Sequence, residues 1–530
     1  MNLLKAIPFA TALCLAAIPA AGQGFAKDFE TVRSVNPALD FSNAAGLSFL
    51  QKEDNVSEVV LNFEKGNGAL TGIDGSSDCW KAGASTESFK RISDRMVFHG
   101  KLSYSHERDK DSGGPVLMDI RYNPLNFYES DPTTVGGRKI ESYSLAGRIG
   151  YSLNGAWSIG LGTEYSTADR TKFKDPRFLN EWMDIDLSLG AMYKPSDDFS
   201  FGMALEFRHT LEQISAATYG TKDRDFYIYV DQGGFLGSME LFEGNSSYIS
   251  TSDPRPMAND HYGASFQLVH GSAVRFYHQL RGFWRSGYFG SKASTAVLFS
   301  ENSGPAAQYS LSAVARKADN IHRFGFSASW EMMSNYINSY SYKTEEGRST
   351  VVVYHGQNLQ LSRHDISASL NYIGRFGVSG IRPSLELGAS LDGDARIQET
   401  TIYPNWRDHN VIRLDADIYG CKNFISCSNI FTARADALFL TGFGTAALDG
   451  AYASSTNKLK SFSEYLNPQF EYDTASRAGA RLSFTFTRMV SEKLSVYFTA
   501  SDTFHALLQA PQYLSGSTRN IALVTVGCNF

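Results

Sequence analysis

The chain is short of the features that mark most other protein classes. Five cysteines and 15 prolines in 530 residues are too few for a disulfide-stapled scaffold or a low-complexity chain. The 11 histidines are scattered without metal-ligand spacing, and no phosphate loop, paired-cysteine metal site or nucleophile elbow occurs. No cofactor is therefore expected. A formal net charge of −6 argues against a nucleic-acid partner. Past its opening residues the sequence has no apolar run near the roughly 20 residues that a membrane-spanning helix needs, which excludes a helical membrane protein. Nor does a linker divide it, although its length would suggest two to four soluble domains.

The opening, "MNLLKAIPFATALCLAAIPAAGQ", has the plan of a secretory signal. Lys5 is positive, Ala6 to Ile18 is apolar, and Ala20-Ala21-Gly22 is a small-residue cleavage site. The expected cut follows Gly22. Cys14 follows Leu13 rather than a small residue, so secretion without lipidation is expected.

What is abundant is alternation. From residue 56 onward, stretches of about ten residues place apolar side chains on one face and small, polar or charged ones on the other, the period of a half-buried strand. "RLSFTFT" sets Leu482, Phe484 and Phe486 against Arg481, Ser483, Thr485 and Thr487, and "LSVYFTAS" repeats the pattern after a tight turn. "ESYSLAGRIGYSL" turns at Asn154-Gly155 into "AWSIGLGTEY", a strong hairpin signal. In "WMDIDLSLGAMY" and "FGMALEFR" one face carries Met183, Ile185, Leu187, Phe201, Met203 and Leu205, the other Asp184, Asp186, Glu206 and Arg208. The pattern predicts 18 strands, within a range of 14 to 18, over residues 56–530. Connections alternate in length. Short turns at Ser93-Asp94, Asp197-Asp198, Gly271-Ser272 and Ser491 to Lys493 alternate with long polar loops at 108–137, 213–259 and 442–473. Short turns on one side and long loops on the other describe an antiparallel up-and-down transmembrane β-barrel in the cell outer membrane, where every backbone group must be paired because lipid offers none.

The final stretch, "RNIALVTVGCNF", alternates up to a terminal Phe530. With Val524, Val526, Cys528 and Phe530 at the matching positions, it resembles the signal that outer-membrane barrels present to the barrel-assembly machinery. Cys528 departs from the usual aromatic or larger aliphatic residue. The chain as a whole resembles the uncharacterised outer-membrane barrels of this size found in Bacteroidota. "NPALDFSNAAGLSF" at 36–49 is similar to the segment with which fatty-acid-transporter-type barrels begin. That likeness implies that residues 23–55 form a short N-terminal periplasmic or luminal hatch.

If apolar faces meet lipid, the opposite faces line the lumen. Arg148, Glu164, Asp184, Asp186, Glu206, Arg208, Arg316, Arg323, Glu331, Asp365, Glu386, Arg413, Asp415, Asp417, Arg434, Asp436 and Arg481 are then lumen-lining candidates. They would set the charge preference of a passage for small polar or amphipathic solutes or brace the wall as ion pairs. A barrel this wide must hold water, a plug or folded-in loops. Two other readings stand beside a channel or uptake component. One is a surface-exposed accessory subunit of a larger uptake complex, its long loops the binding surface for other outer-membrane proteins. The other is a rim hydrolase using His209, His270, His278, His322 or His364, which no diagnostic spacing supports. Trp157, Trp182, Tyr193 and Trp330 fall where aromatic belts sit. Cys421 and Cys427 flank "KNFIS" in an expected periplasmic turn. They can close a small disulfide loop in an oxidising compartment or stay two thiols, since a bridge needs the two Cα atoms within about 7 Å.

Overall fold

The computed structural model describes residues 29–530 apart from 121, 221–224, 243–247, 250–254, 345–349, 379–381, 427, 455–459 and 492. The signal segment and Cys427 lie outside these residues. In chain order the strands are β1 (Val56–Asn67), β2 (Asp78–Arg91), β3 (Met96–Ser112), β4 (Asn126–Glu129), β5 (Gly136–Ser152), β6 (Trp157–Lys172), β7 (Arg177–Ser196), β8 (Phe199–Ala217), β9 (Tyr227–Asp231), β10 (Leu236–Leu241), β11 (Met257–His270), β12 (Val274–Gly290), β13 (Leu298–Lys317), β14 (Asn320–Lys343), β15 (Val351–Phe376), β16 (Leu385–Ile402), β17 (Asn405–Ser426), β18 (Asn429–Ala451), β19 (Lys460–Ser461), β20 (Arg477–Met489), β21 (Ser495–Leu507) and β22 (Thr518–Asn529). Eighteen of them form one antiparallel sheet, while β4, β9, β10 and β19 form a second, four-stranded sheet.

The large sheet closes on itself because the last strand pairs with the first. β22 runs against β1 from Glu58 opposite Asn529 to Asn67 opposite Asn520. Beyond that register, Ser57 N–H donates to Phe530 O at 2.8 Å and Phe530 N–H to Ser57 O at 2.9 Å. No edge is left, which is the condition for a sheet to survive in lipid. Both ends of the sheet and the short turns, such as 197–198 between β7 and β8, lie at one rim, and the long connections 113–135 and 218–256 at the other. That asymmetry assigns the periplasmic and external sides.

Period two does the sorting. The side chains most open to the surroundings are apolar and in phase: Leu205 at 61% and Phe484 at 62% exposure are typical of the outward face. Aromatics gather at its edges. Trp157 packs at a tilt against Tyr193, with ring centroids 4.6 Å apart, near the periplasmic rim. Phe207 and Trp284 both lie opposite Tyr262, eight to ten residues above the lower ends of their strands; with the strand tilt, this matches an apolar band about 25 Å tall. The molecule is an outer-membrane β-barrel. Trp182 corrects the belt assignment: it opposes Ala168 and Glu212 on the inward face, in phase with Asp184. Cys421 also departs from expectation. It lies within β17, paired with Glu386 and Arg434, not in the turn.

Candidate functional site

Inside the barrel, the chain packs segments against its own wall from both ends. At the periplasmic end, residues 29–55 fold as the helix Phe29–Val35 and three short 3-10 turns. Leu39, Ala45, Leu47 and Leu50 are fully buried. Pro37 sits in the first helical turn position, where its missing N–H costs nothing, and the Asn43 side chain accepts from Ala45 N–H at 3.0 Å to cap the next turn. The Asn43 amide also donates to Ala191 O at 3.0 Å and to Gln267 Oε1 at 2.9 Å on the wall. Arg148 donates to Leu39 O at 2.9 Å and to Phe41 O. Arg91 donates to Ser48 O at 2.7 Å and Leu50 O at 2.6 Å. The wall is glycine where the segment presses closest, since a Cβ at Gly160 would lie 2.0 Å from Ala45 N.

From the external side, loops 113–135, 218–256 and 452–476 contribute β4, β9, β10, β19 and the helix Ser463–Thr474. β9 is the centre of this small sheet, pairing with β4 and β10. Val116, Phe127, Ile228, Val230 and Phe242 pack in one core with Phe178, Met257 and Phe289 of the wall. Much of the described part of these loops is thus packed against the wall, while Val135, Tyr219, Tyr227, Leu241 and Tyr452 stay exposed. Six wall cations hold them. Arg138 donates to Pro115 O at 3.0 Å, Arg170 to Val116 O, Arg285 to Tyr122 O at 3.1 Å, Arg363 to Asn123 O at 3.0 Å and Arg407 to Phe235 O at 3.0 Å. Lys172, with a fully buried side chain, pairs with Glu129 of β4. Guanidinium groups suit this task because each offers five donors in a fixed fork.

Cavities remain between these two bodies and beside them. One of about 380 Å³ lies between the small sheet and β14–β17, lined by Asn126, Asp231, Arg363, Asp365, Arg396 and Arg413 among others. Burial pushes the Asp231 carboxyl up to about 6, although it accepts the Gly233 N–H at 2.9 Å. A second, of about 240 Å³, shares Tyr122 and Glu331 with the first and is lined by Glu164, Asp184, Asp186, Arg208 and Arg281. A third, of about 390 Å³, runs past Asp392, Asp415, Asp417, Arg477 and Arg519.

Most of the candidate residues named from the sequence form ion pairs here. Arg208 pairs with Asp184 at 2.8 Å, Arg281 with Glu206 at 2.6 Å, Arg375 with Glu386 at 2.7 Å and Arg413 with Asp415 at 2.8 Å. Arg481 bridges Asp417 and Asp436, and Asp436 also takes Arg434 at 2.7 Å. Glu331 meets Arg285 at 2.9 Å, and Asp365 receives Arg396 and Arg363. Arg316 lines a cavity of about 410 Å³ beside the N-terminal segment, and Arg323 donates to Ser312 Oγ at 3.4 Å. The loop-holding cations were not among the candidates. Arg138, Arg170 and Lys172 continue the inward phase of Arg148 and Glu164, but beyond the expected strand limits.

The five histidines stand on the outward face. His209 meets Asp260 at 2.7 Å, His278 meets His270 at 3.1 Å and Tyr309 at 2.8 Å, His322 meets Tyr372 at 2.8 Å, and Trp330 donates to His364 at 3.3 Å. Serine is not among these partners.

Solved structures similar to the chain include BauA, the ferric preacinetobactin receptor of Acinetobacter baumannii (8% identity, TM-score 0.38, 90% of this chain and 80% of that one). Others are the outer-membrane transporter YddB of Escherichia coli (8%, 0.38, 89% and 81%) and a mutant of the ferric enterobactin receptor PfeA of Pseudomonas aeruginosa (7%, 0.40, 90% and 80%). Scores this low say nothing of shared function. No curated protein matches the sequence. A family model does match, over residues 44–530, from the second half of the luminal segment through all 18 barrel strands to the terminal phenylalanine, and the chain thereby belongs to the family of unknown function DUF6850.

Proposed function

We propose that this barrel is an outer-membrane uptake component for small polar or amphipathic solutes, with a lumen held shut at rest by its own chain. Residues 1–22 act as the signal peptide, residues 23–55 as the periplasmic hatch and residues 56–530 as the barrel. One observation carries the reading. Wall cations hold the loops that carry the small sheet mainly through backbone carbonyls beside its strands, an attachment that binds backbone shape and can be released without unfolding the barrel. A permanently braced wall would need no charged cavities, yet four lie along the lumen. Proteoliposome swelling tests this. Solutes of a few hundred daltons are expected to enter slowly through the native protein and faster once the loop sheet is loosened. Equal, negligible swelling for both would overturn the reading.

The same reading gives the terminal strand two partners, lipid and the barrel-assembly machinery. Deleting Phe530 removes both hydrogen bonds to Ser57 and the assembly signal. The amount of barrel in the outer membrane is expected to fall, with protein retained in the periplasm. Normal surface levels of the truncated chain would sink the assignment of that signal.

A further inference from the structure

The first cavity, of about 380 Å³ between the small sheet and the wall, is lined by four neutral polar side chains whose hydrogen-bonding capacity the protein leaves open. Asn126 and Tyr128 stand two residues apart on β4 and so share one face of that strand. Gln398 and His409 are direct cross-strand partners on β16 and β17. Their exposures run from 2% at Tyr128 to 9% at Gln398. Asn126 Nδ2 donates to Ile120 O at 2.9 Å, while its Oδ1 has no partner among the described residues. His409 Nδ1 donates to Ala446 O at 2.6 Å, which leaves Nε2 of the neutral ring as an acceptor. Among the described residues that nitrogen, the Tyr128 hydroxyl and the Gln398 amide make no hydrogen bond.

The charged side chains around the same cavity are already engaged. Arg363 and Arg396 meet Asp365, Arg413 meets Asp415 at 2.8 Å and Asp394 at 3.9 Å, and Glu331 meets Arg285 at 2.9 Å. Asp119 and Asp231 accept backbone N–H groups, and Asp473 accepts the Gln469 amide at 2.8 Å. What the cavity offers a solute is therefore uncharged. Asn126 Oδ1 and His409 Nε2 accept, while Tyr128 and Gln398 can both donate and accept. Buried polar groups without partners are uncommon, and here four come together from two separate bodies, a strand of the loop sheet and the barrel wall.

Building on the uptake reading, we infer that this cavity binds a neutral, polyhydroxylated solute, a sugar. Each hydroxyl group donates and accepts, so a ring bearing several completes the acceptors at Asn126 and His409 and the mixed groups at Tyr128 and Gln398 together. An ammonium has no acceptor to offer and a carboxylate no donor. Either charge would also have to leave water for a site whose own charges are already paired.

The probes are glucose, mannose and maltose, with glucosamine and glucuronate as charged forms of the same ring. Binding is read by saturation-transfer NMR on the full-length barrel in an amine-oxide detergent, which carries no sugar head. At least one neutral sugar is expected to bind, and to bind more tightly than either charged form. Tyr128→Phe with Gln398→Met removes only polar groups that no other described residue holds. The variant is expected to keep its thermal unfolding temperature while sugar binding weakens at least tenfold. Binding of no neutral sugar, tighter binding of a charged form, unaffected binding by the variant, or a variant that unfolds at lower temperature would overturn the inference. Sugar binding without sugar entry in proteoliposome swelling would uphold the site and overturn the uptake reading; entry of polar solutes without sugar binding would do the reverse.

Discussion

Replacing Glu129 by alanine is expected to free the loop-derived sheet from the wall. Glu129 is 2% exposed and Lys172 has a fully buried side chain. Removing one partner of a buried ion pair leaves the other charge uncompensated, at a cost of about 3 to 5 kcal/mol. That cost falls on β4, which is held otherwise by its pairing with β9, by the core around Phe127, by the Tyr465 hydroxyl on Glu129 O and by the arginines on the flanking carbonyls. Amide exchange over 126–129 and 227–231 should accelerate while exchange in the barrel strands stays slow. Replacing both partners with apolar residues of similar size, Glu129→Leu with Lys172→Met, should restore protection, because a well-packed apolar pair replaces a buried ion pair at little cost. Unchanged exchange in Glu129→Ala would show that the pair does not hold the sheet.

A comparable loss is expected on the lipid face. Arginine at Leu187 or Phe484, which are 40% and 62% exposed on the outward surface, should cost about 2 to 4 kcal/mol near the bilayer midplane. One residue along the strand the effect should nearly vanish. Ser188 and Thr485 face the lumen, and Thr485→Arg gives up only its 2.8 Å bond to Thr499, worth about 1 kcal/mol. Urea unfolding in lipid measures the difference. Equal losses on the two faces would mean that the apolar side of these strands does not contact lipid.

The barrel was legible in the sequence because lipid and lumen impose opposite demands on neighbouring residues. Leu482, Phe484 and Phe486 therefore announce a face with no knowledge of their partners, and all 18 strands follow from that rule. The luminal sheet was not legible for the opposite reason. β4 reads "NFYE" and is buried throughout, and β9 reads "YIYVD" with four of its five residues buried. Neither shows alternation, and both sit in stretches of loop composition. The upper parts of the wall strands were missed because Arg138, Arg170 and Lys172 bring charge where a membrane strand should end, although their phase is inward. Individual ion pairs depend on register. The sequence shows Asp184 and Arg208 facing the same way, but their meeting follows from the pairing of β7 with β8. Trp182 lies near a strand end like the belt aromatics, but its phase, shared with Asp184, turns it inward.

Single-channel recording in a planar bilayer tests the closed, releasable lumen most directly. The account predicts that the native barrel is silent or nearly so, and that Glu129→Ala gives long-lived openings that the Glu129→Leu/Lys172→Met pair abolishes. A native barrel that conducts steadily, with currents unchanged by Glu129→Ala, would contradict it.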